Sequence, residues 1–210
     1  MEISRVRVKI CGITSVEDAR LAVNSGADAI GLVFYGPSSR NLEIPLAREI
    51  VESLPPFITP VALFVDPPAD FVMKVIREVH PQMLQFHGSE NEAFCTRFNL
   101  PYMKAIRVRN EVNLIQCANL YPSASALLVD TYVEGIAGGS GQVFDWALLP
   151  GGLPRPLILS GGLDAGNIIQ AIRQVHPYAV DVSSGVERAQ GLKDALKIKA
   201  FMQGVADAAL

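Results

Sequence analysis

Sulfur, histidine and long apolar runs are all scarce in this chain. Its 210 residues include three cysteines and three histidines. Cys11, Cys95 and Cys117 are odd in number and lack metal-ligand spacing. That argues against a disulfide framework or a zinc ribbon and leaves reduced thiols in a cytoplasm as the expectation. His80 and His176 each precede a proline, so His87 is the one histidine expected at a strand mouth. A single histidine is a poor basis for a zinc or iron site, and no metal is expected. No apolar run approaches the roughly 18 residues that a membrane helix needs. Met1 to Arg5 runs straight into a strand-like stretch, so no leader is expected. Excess positive charge is missing too. The net charge is −3 and the pI about 5.6, which gives no reason to expect nucleic acid or an anionic membrane as partner.

What is present is material for a core. Half the residues are hydrophobic, 19% are charged and mean hydropathy is +0.27, so disorder is excluded. Strand-like and helix-like stretches alternate. Strands are predicted at 6–10, 29–34, 60–65, 82–86, 102–106, 125–129, 156–159 and 178–182. Helices are predicted at 16–25, 45–54, 69–79, 91–98, 111–120, 144–148, 165–175 and 193–205. Thr14-Ser15 can cap the first helix, and Pro45 suits the first turn of the second. The strands are near-continuously apolar, as in parallel sheets buried on both faces. Eight such pairs predict one closed (β/α)8 (TIM) barrel domain over residues 1–210 rather than an open sheet. A faint repeat supports a four-plus-four arrangement: Arg77-Glu-Val-His-Pro81 recurs as Arg173-Gln-Val-His-Pro177.

In such barrels the chemistry sits at the C-terminal ends of the strands. Here these ends carry Cys11, Asp66, His87, Arg107, Asp130, Ser160 and Asp181 to Ser184. Ser160-Gly161-Gly162 and Ser183-Ser184-Gly185 follow strands seven and eight, the usual phosphate site of the fold. Glycine allows the backbone N–H groups to approach an anion closely. Gly139-Ser140-Gly141 offers a third cradle or a lid. Cys11 reads either as a small core hydrophobe or as a reactive thiol. By strand alternation Lys9 shares its face, and Asp181 on the neighbouring strand eight is the candidate partner for that lysine. Asp130 reads as a cap, a salt-bridge partner or a proton donor. Arg40 reads as a carboxylate clamp or as a solvated surface arginine.

The motifs together resemble the phosphoribosylanthranilate isomerase family of tryptophan biosynthesis. They are Lys9-Ile-Cys-Gly-Ile-Thr14, Leu84-Gln-Phe-His-Gly88, Lys104-Ala-Ile-Arg-Val108, Leu128-Val-Asp-Thr131, Gly138-Gly-Ser-Gly141 with Phe144-Asp-Trp146, Leu159-Ser-Gly-Gly-Leu163 and Val180 to Glu187. They span essentially the whole chain in order. The resemblance implies a cofactor-free Amadori rearrangement of N-(5-phosphoribosyl)anthranilate to 1-(2-carboxyphenylamino)-1-deoxyribulose 5-phosphate. It also implies Cys11 as general base, Asp130 as general acid and Arg40 on the anthranilate carboxylate. Gly161, Gly162, Ser183, Ser184 and Gly185 would hold the phosphate with Gly141 nearby, His87 would line the sugar site, and Asp181 would support the mouth of strand eight. Members are monomers or homodimers, and either is expected here. Indole-glycerol-phosphate synthase wants a lysine as strand-end acid, and Lys9 lies two residues short of the end. A pentose-phosphate 3-epimerase wants paired metal-ligand histidines. A phosphate-binding barrel without chemistry would have no need of both Cys11 and Asp130.

Overall fold

The computed structural model describes residues 5–108, 113–130, 146, 149 and 152–208. Eight parallel strands close into a barrel in sequence order. They are β1 (Arg7–Cys11), β2 (Ala29–Phe34), β3 (Thr59–Phe64), β4 (Met83–Phe86), β5 (Tyr102–Arg107), β6 (Ala126–Asp130), β7 (Leu157–Ser160) and β8 (Ala179–Val182). Around them lie α1 (Val16–Asn24), α2 (Ile44–Glu52), α3 (Ala69–Val79), α4 (Glu92–Cys95), α5 (Leu114–Leu120), α6 (Ile168–Val175) and α7 (Ala195–Ala208). The (β/α)8 architecture expected from the strand count is the one observed. None of the described helices is long and apolar enough to cross a membrane.

Local signals explain most of the boundaries. Ser15 caps α1 by accepting from the Asp18 N–H, and Glu17 and Asp18 lie in the first turn where the helix dipole favours them. Pro45 stands in the first turn of α2. The two copies of the pentapeptide do the same job. His80 and His176 are left-handed C-caps of α3 and α6, with φ of 57° and 48°. After each following proline, the next N–H returns to the sheet: Gln82 to the Pro60 carbonyl and Tyr178 to that of Leu157. The match is therefore structural, placed before β4 and before β8.

Two expectations need correction. Residues 91–98 are not one helix, because α4 stops at Cys95 and passes into a 3-10 turn over Thr96–Phe98, closed by Asn99 with φ 52°. The last helix starts two residues late, at Ala195. Lys193 instead belongs to a small antiparallel hairpin of β9 (Glu187–Ala189) and β10 (Leu192–Lys193). The helix expected at 144–148 lies outside the described residues apart from Trp146.

The main core lies between the sheet and the helices. Phe34, Phe64 and Phe86 stack side by side on its outer face at 5.5 and 6.2 Å between ring centroids, with Phe71, Phe94 and Phe98 at their edges. Aromatic pairs of this kind add about 0.5–1.5 kcal/mol each beyond area burial. A second cluster fills the barrel: Val61, Met103, Ala105, Ala126, Leu128, Ile158 and Ala179. It closes the lower barrel and leaves the upper end open for chemistry.

Candidate active site

Alternate residues of each strand face the axis. Along β1 these are Lys9 and Cys11, along β2 Gly31 and Val33, and on β4 and its continuation Gln85 and His87. The same parity gives Asp130 on β6, Ser160 on β7, and Asp181 with Ser183 on β8 and just beyond it. These residues, apart from Lys9 and Gly31, line one cavity of about 430 Å³ at the C-terminal ends of the strands. Arg40, Leu63, Arg107, Gly161, Gly162 and Ser184 complete much of its wall.

Cys11 is 6% exposed and sits over a buried ion pair. The Lys9 ammonium donates to an Asp181 carboxylate oxygen at 2.8 Å, with both side chains buried. The partner expected for Lys9 is thus the observed one. Burial disfavours the Lys9 charge, but Asp181 and the sulfur together outweigh it and hold the ammonium above its ordinary range. For Cys11 the balance differs. Burial pushes the thiol up, Lys9 pulls it back by charge and hydrogen bonding, and Asp181 pushes it up again. The net direction is upward. Room for this arrangement comes from β2. Gly31 pairs with Cys11 in the sheet register, and a Cβ there would lie 2.6 Å from the sulfur and 2.9 Å from Lys9 Nζ. The other two thiols are outside the cavity, and burial raises Cys95 to about 12, which makes it inert.

Across the mouth, Gln85 Nε2 donates to His87 Nδ1 at 3.0 Å. A neutral ring that accepts at Nδ1 carries its proton on Nε2. That nitrogen lies 3.3 Å from Asp130 Oδ2. The wholly buried Gln85 amide therefore orients the imidazole, and the imidazole in turn touches the carboxyl. Gln85 belongs to a motif quoted above but was not singled out. Its parity with His87 was the available signal.

Arg40 is not a solvated surface arginine. It reaches over Gly12 (φ 74°), where a Cβ would fall 2.4 Å from Arg40 Cδ. Its Nε and Nη2 donate to the two carboxylate oxygens of Glu187, each at 2.7 Å. Lys193 donates to the same carboxylate at 2.9 Å and to the Ser183 carbonyl at 3.1 Å. Burial pushes the Glu187 carboxyl up, but the hydrogen bonds from Arg40 and Lys193 outweigh it and hold it below the ordinary carboxylate range.

At the β7–β8 side, Gly161 and Gly162 both have positive φ, 92° and 64°. They line the cavity with Ser183 and Ser184. Gly185 does not: a Cβ there would meet the Leu163 carbonyl oxygen at 2.0 Å, so this glycine lets the two loops pack together. Gly141 lies outside the described residues. No group of three or more His, Cys, Asp or Glu suited to a metal occurs among the described residues.

One thiol, one histidine-linked carboxyl, a half-buried arginine, the Gly161-Gly162 turn and the Ser183-Ser184 segment thus converge on one cavity at the mouth of the barrel. A family model described as N-(5'-phosphoribosyl)anthranilate (PRA) isomerase matches residues 8–204. The chain belongs to the phosphoribosylanthranilate isomerase family. It is accordingly an isomerase of tryptophan biosynthesis that catalyses the isomerisation of phosphoribosylanthranilate. It is 58% identical over 200 residues to the N-(5'-phosphoribosyl)anthranilate isomerase of Nitrosospira multiformis, covering 95% of this chain and 96% of that one. Among solved structures it resembles the phosphoribosylanthranilate isomerase of Thermotoga maritima at 42% identity and a TM-score of 0.87, covering 96% and 99% of the two chains. It is similar, at 40% identity and a TM-score of 0.84 with the same coverage, to a family member in complex with reduced 1-(o-carboxyphenylamino)-1-deoxyribulose 5-phosphate.

Proposed function

We propose that Cys11 is the general base and Asp130 the general acid of the family's reaction, with N-(5-phosphoribosyl)anthranilate as substrate. The observation carrying this assignment is that the two side chains line one cavity, on β1 and β6, with Gly161-Gly162 after β7 and Ser183-Ser184 after β8 between them. The structure of a relative bound to a reduced form of the carboxyphenylamino-deoxyribulose phosphate supports the substrate class. Gly161, Gly162, Ser183 and Ser184 hold the phosphate through backbone N–H and hydroxyl groups. Arg40 takes the ring carboxylate, and His87 lines the sugar and orients Asp130.

The Asp130 carboxyl protonates the furanose ring oxygen. The C1–O bond breaks as the anthranilate nitrogen lone pair forms an iminium, and the ring oxygen becomes a hydroxyl. Cys11 then removes the proton from C2, giving an enolamine. That intermediate is protonated at C1 as the C2 hydroxyl loses its proton to become the ketone. No electron leaves the substrate, so no redox cofactor is required. Burial holds the thiol above its ordinary range, so Cys11 accepts the C2 proton through its thiolate form, which the Lys9 charge favours, and the iminium assists by acidifying C2–H. We further infer one domain spanning residues 1–210, working in the cytoplasm as a monomer or homodimer without nucleic acid or membrane; the reduced thiols and net charge of −3 support this.

A fluorescence assay following loss of phosphoribosylanthranilate tests the assignment. Cys11→Ser and Asp130→Asn are each expected to lose at least about 100-fold in kcat while still binding the reduced product analogue. Near-wild-type turnover in either variant would overturn it.

A further inference from the structure

We propose that Glu187 is a positioning residue for substrate recognition: it occupies the side edge of the Arg40 guanidinium and so presents the end edge to the ring carboxylate. The inference rests on the reading of Arg40 as the carboxylate clamp and adds the group that aims it. A guanidinium offers two edges for bidentate bonding, one through Nε and Nη2 and one through Nη1 and Nη2. Glu187 takes the first, with two bonds of 2.7 Å. Nη1 makes no hydrogen bond among the described residues, and Arg40 lines the cavity beside Cys11.

A carboxylate already on the arginine looks self-defeating, because it cancels the charge that the substrate needs. Lys193 removes that objection. The hairpin β9–β10 sets Lys193 opposite Glu187 in register, and its ammonium donates to Glu187 Oε1, the oxygen that also takes Arg40 Nε. The wholly buried Lys193 and nearly buried Glu187 compensate one another, so the cluster keeps one net positive charge, displayed at Arg40. Lys193 also holds the Ser183 carbonyl, and Lys197 donates to the Glu187 carbonyl at 2.7 Å. The hairpin thereby ties the carboxylate end of the cavity to the loop after β8. Fixing the arginine before substrate arrives also removes the side-chain entropy cost of ordering it.

The test is a cycle of ligand against variant, read as dissociation constants by titration calorimetry. The ligands are reduced 1-(o-carboxyphenylamino)-1-deoxyribulose 5-phosphate and the same compound without the ring carboxyl. In the wild type, loss of the carboxyl is expected to weaken binding by roughly 10- to 100-fold, the worth of a charge-assisted bidentate contact. In Glu187→Gln that factor should shrink to about threefold or less, while the carboxyl-free ligand binds as to wild type. A purely structural Glu187 would weaken both ligands equally or neither, leaving the factor intact, and that result overturns the proposal while sparing the Arg40 reading. A wild type indifferent to the carboxyl overturns both. Should Glu187→Gln fail to fold, Glu187→Gln/Lys193→Met removes the orphaned ammonium and gives the same ratio.

Discussion

The close approach of β2 to the thiol makes Gly31→Ala the most exacting probe of the site. A methyl group at Gly31 would stand 2.6 Å from Cys11 Sγ, 2.9 Å from Lys9 Nζ and 3.0 Å from Cys11 Cα. Ordinary non-bonded contacts are about 3.5–4.0 Å, so the sulfur must retreat by roughly 1 Å. It has little freedom to do so, because Cys11 lies within β1 and its backbone is paired to β2. Overpacking of this sort costs about 1–3 kcal/mol. At about 2–4 °C per kcal/mol for a chain of this size, Tm should fall by about 2–12 °C.

The kinetic effect should exceed the stability effect. A misplacement of about 1 Å at a reacting group can cost about 100-fold, so kcat/KM should fall by that order while the affinity for inorganic phosphate is retained. Steady-state fluorescence kinetics and thermal unfolding on the same preparation supply both numbers. Cys11→Ala/Gly31→Ala should recover part of the lost Tm, since the clashing sulfur is gone, and remain inactive. A Gly31→Ala enzyme with wild-type kcat/KM and Tm would refute the reasoning, because it would mean that Cys11 does not need the space that β2 leaves.

Two other outcomes follow from the layer beneath the mouth. In Lys9→Met/Asp181→Asn the thiol loses the ammonium that lowers it, the larger of the two charge effects, together with the carboxylate that raises it. Since a base must be deprotonated to act, the rising limb of kcat/KM against pH should move to higher pH, and an unmoved limb would remove Lys9 from any role in the thiol's basicity. Gln85→Leu should separate function from stability. The Gln85 Oε1 is buried without a partner among the described residues, so the apolar isostere should leave Tm unchanged or higher, whereas loss of the bond to His87 Nδ1 should cut kcat about tenfold and alter the imidazole ¹⁵N shifts. A fall in Tm with full activity would contradict this.

Much of the barrel was legible because its signals are local and repeated. Apolar runs recur eight times, punctuated by caps and turn glycines, and each needs only a few neighbouring residues to be read. Lys9 and Asp181 could be paired from sequence because closure puts β8 beside β1, which fixes one contact 172 residues apart. What stayed hidden depended on partners that no local pattern names. Lys193 heads an amphipathic stretch and reads as a solvated helical residue, yet it is 1% exposed, because Glu187 folds back on it through a hairpin too short to show an alternation. Lys104 is a parallel case. It is buried on the outer face of β5, where Glu90 and the carbonyls of Phe86 and Gly88 receive its ammonium. In both, the carboxylate lies on a connecting segment whose path is set by tertiary packing.

The period of two links the hidden and the legible parts on two strands. Cys11 and His87 each have, two residues earlier on the strand, the side chain that conditions them. Lys9 lies under Cys11 and Gln85 under His87, and both lower residues are buried. Under Asp130, by contrast, lies Leu128, under Val65 lies Leu63, and under Arg107 lies Ala105, so polar residues enter the middle layer on some strands and not on others. Buried polar groups cost stability unless they are paired, and the apolar layer below them, from Val61 to Ala179, compensates for that cost. The division has a chemical logic. A thiol base needs a nearby cation to be tuned, and an imidazole needs an acceptor or donor to fix its tautomer. Asp130 is instead reached from the side, by His87 Nε2, leaving an apolar floor beneath it. On β1 and β4 the chemistry is therefore specified by pairs of residues on single strands, and a substitution in the lower member should alter proton transfer without touching substrate.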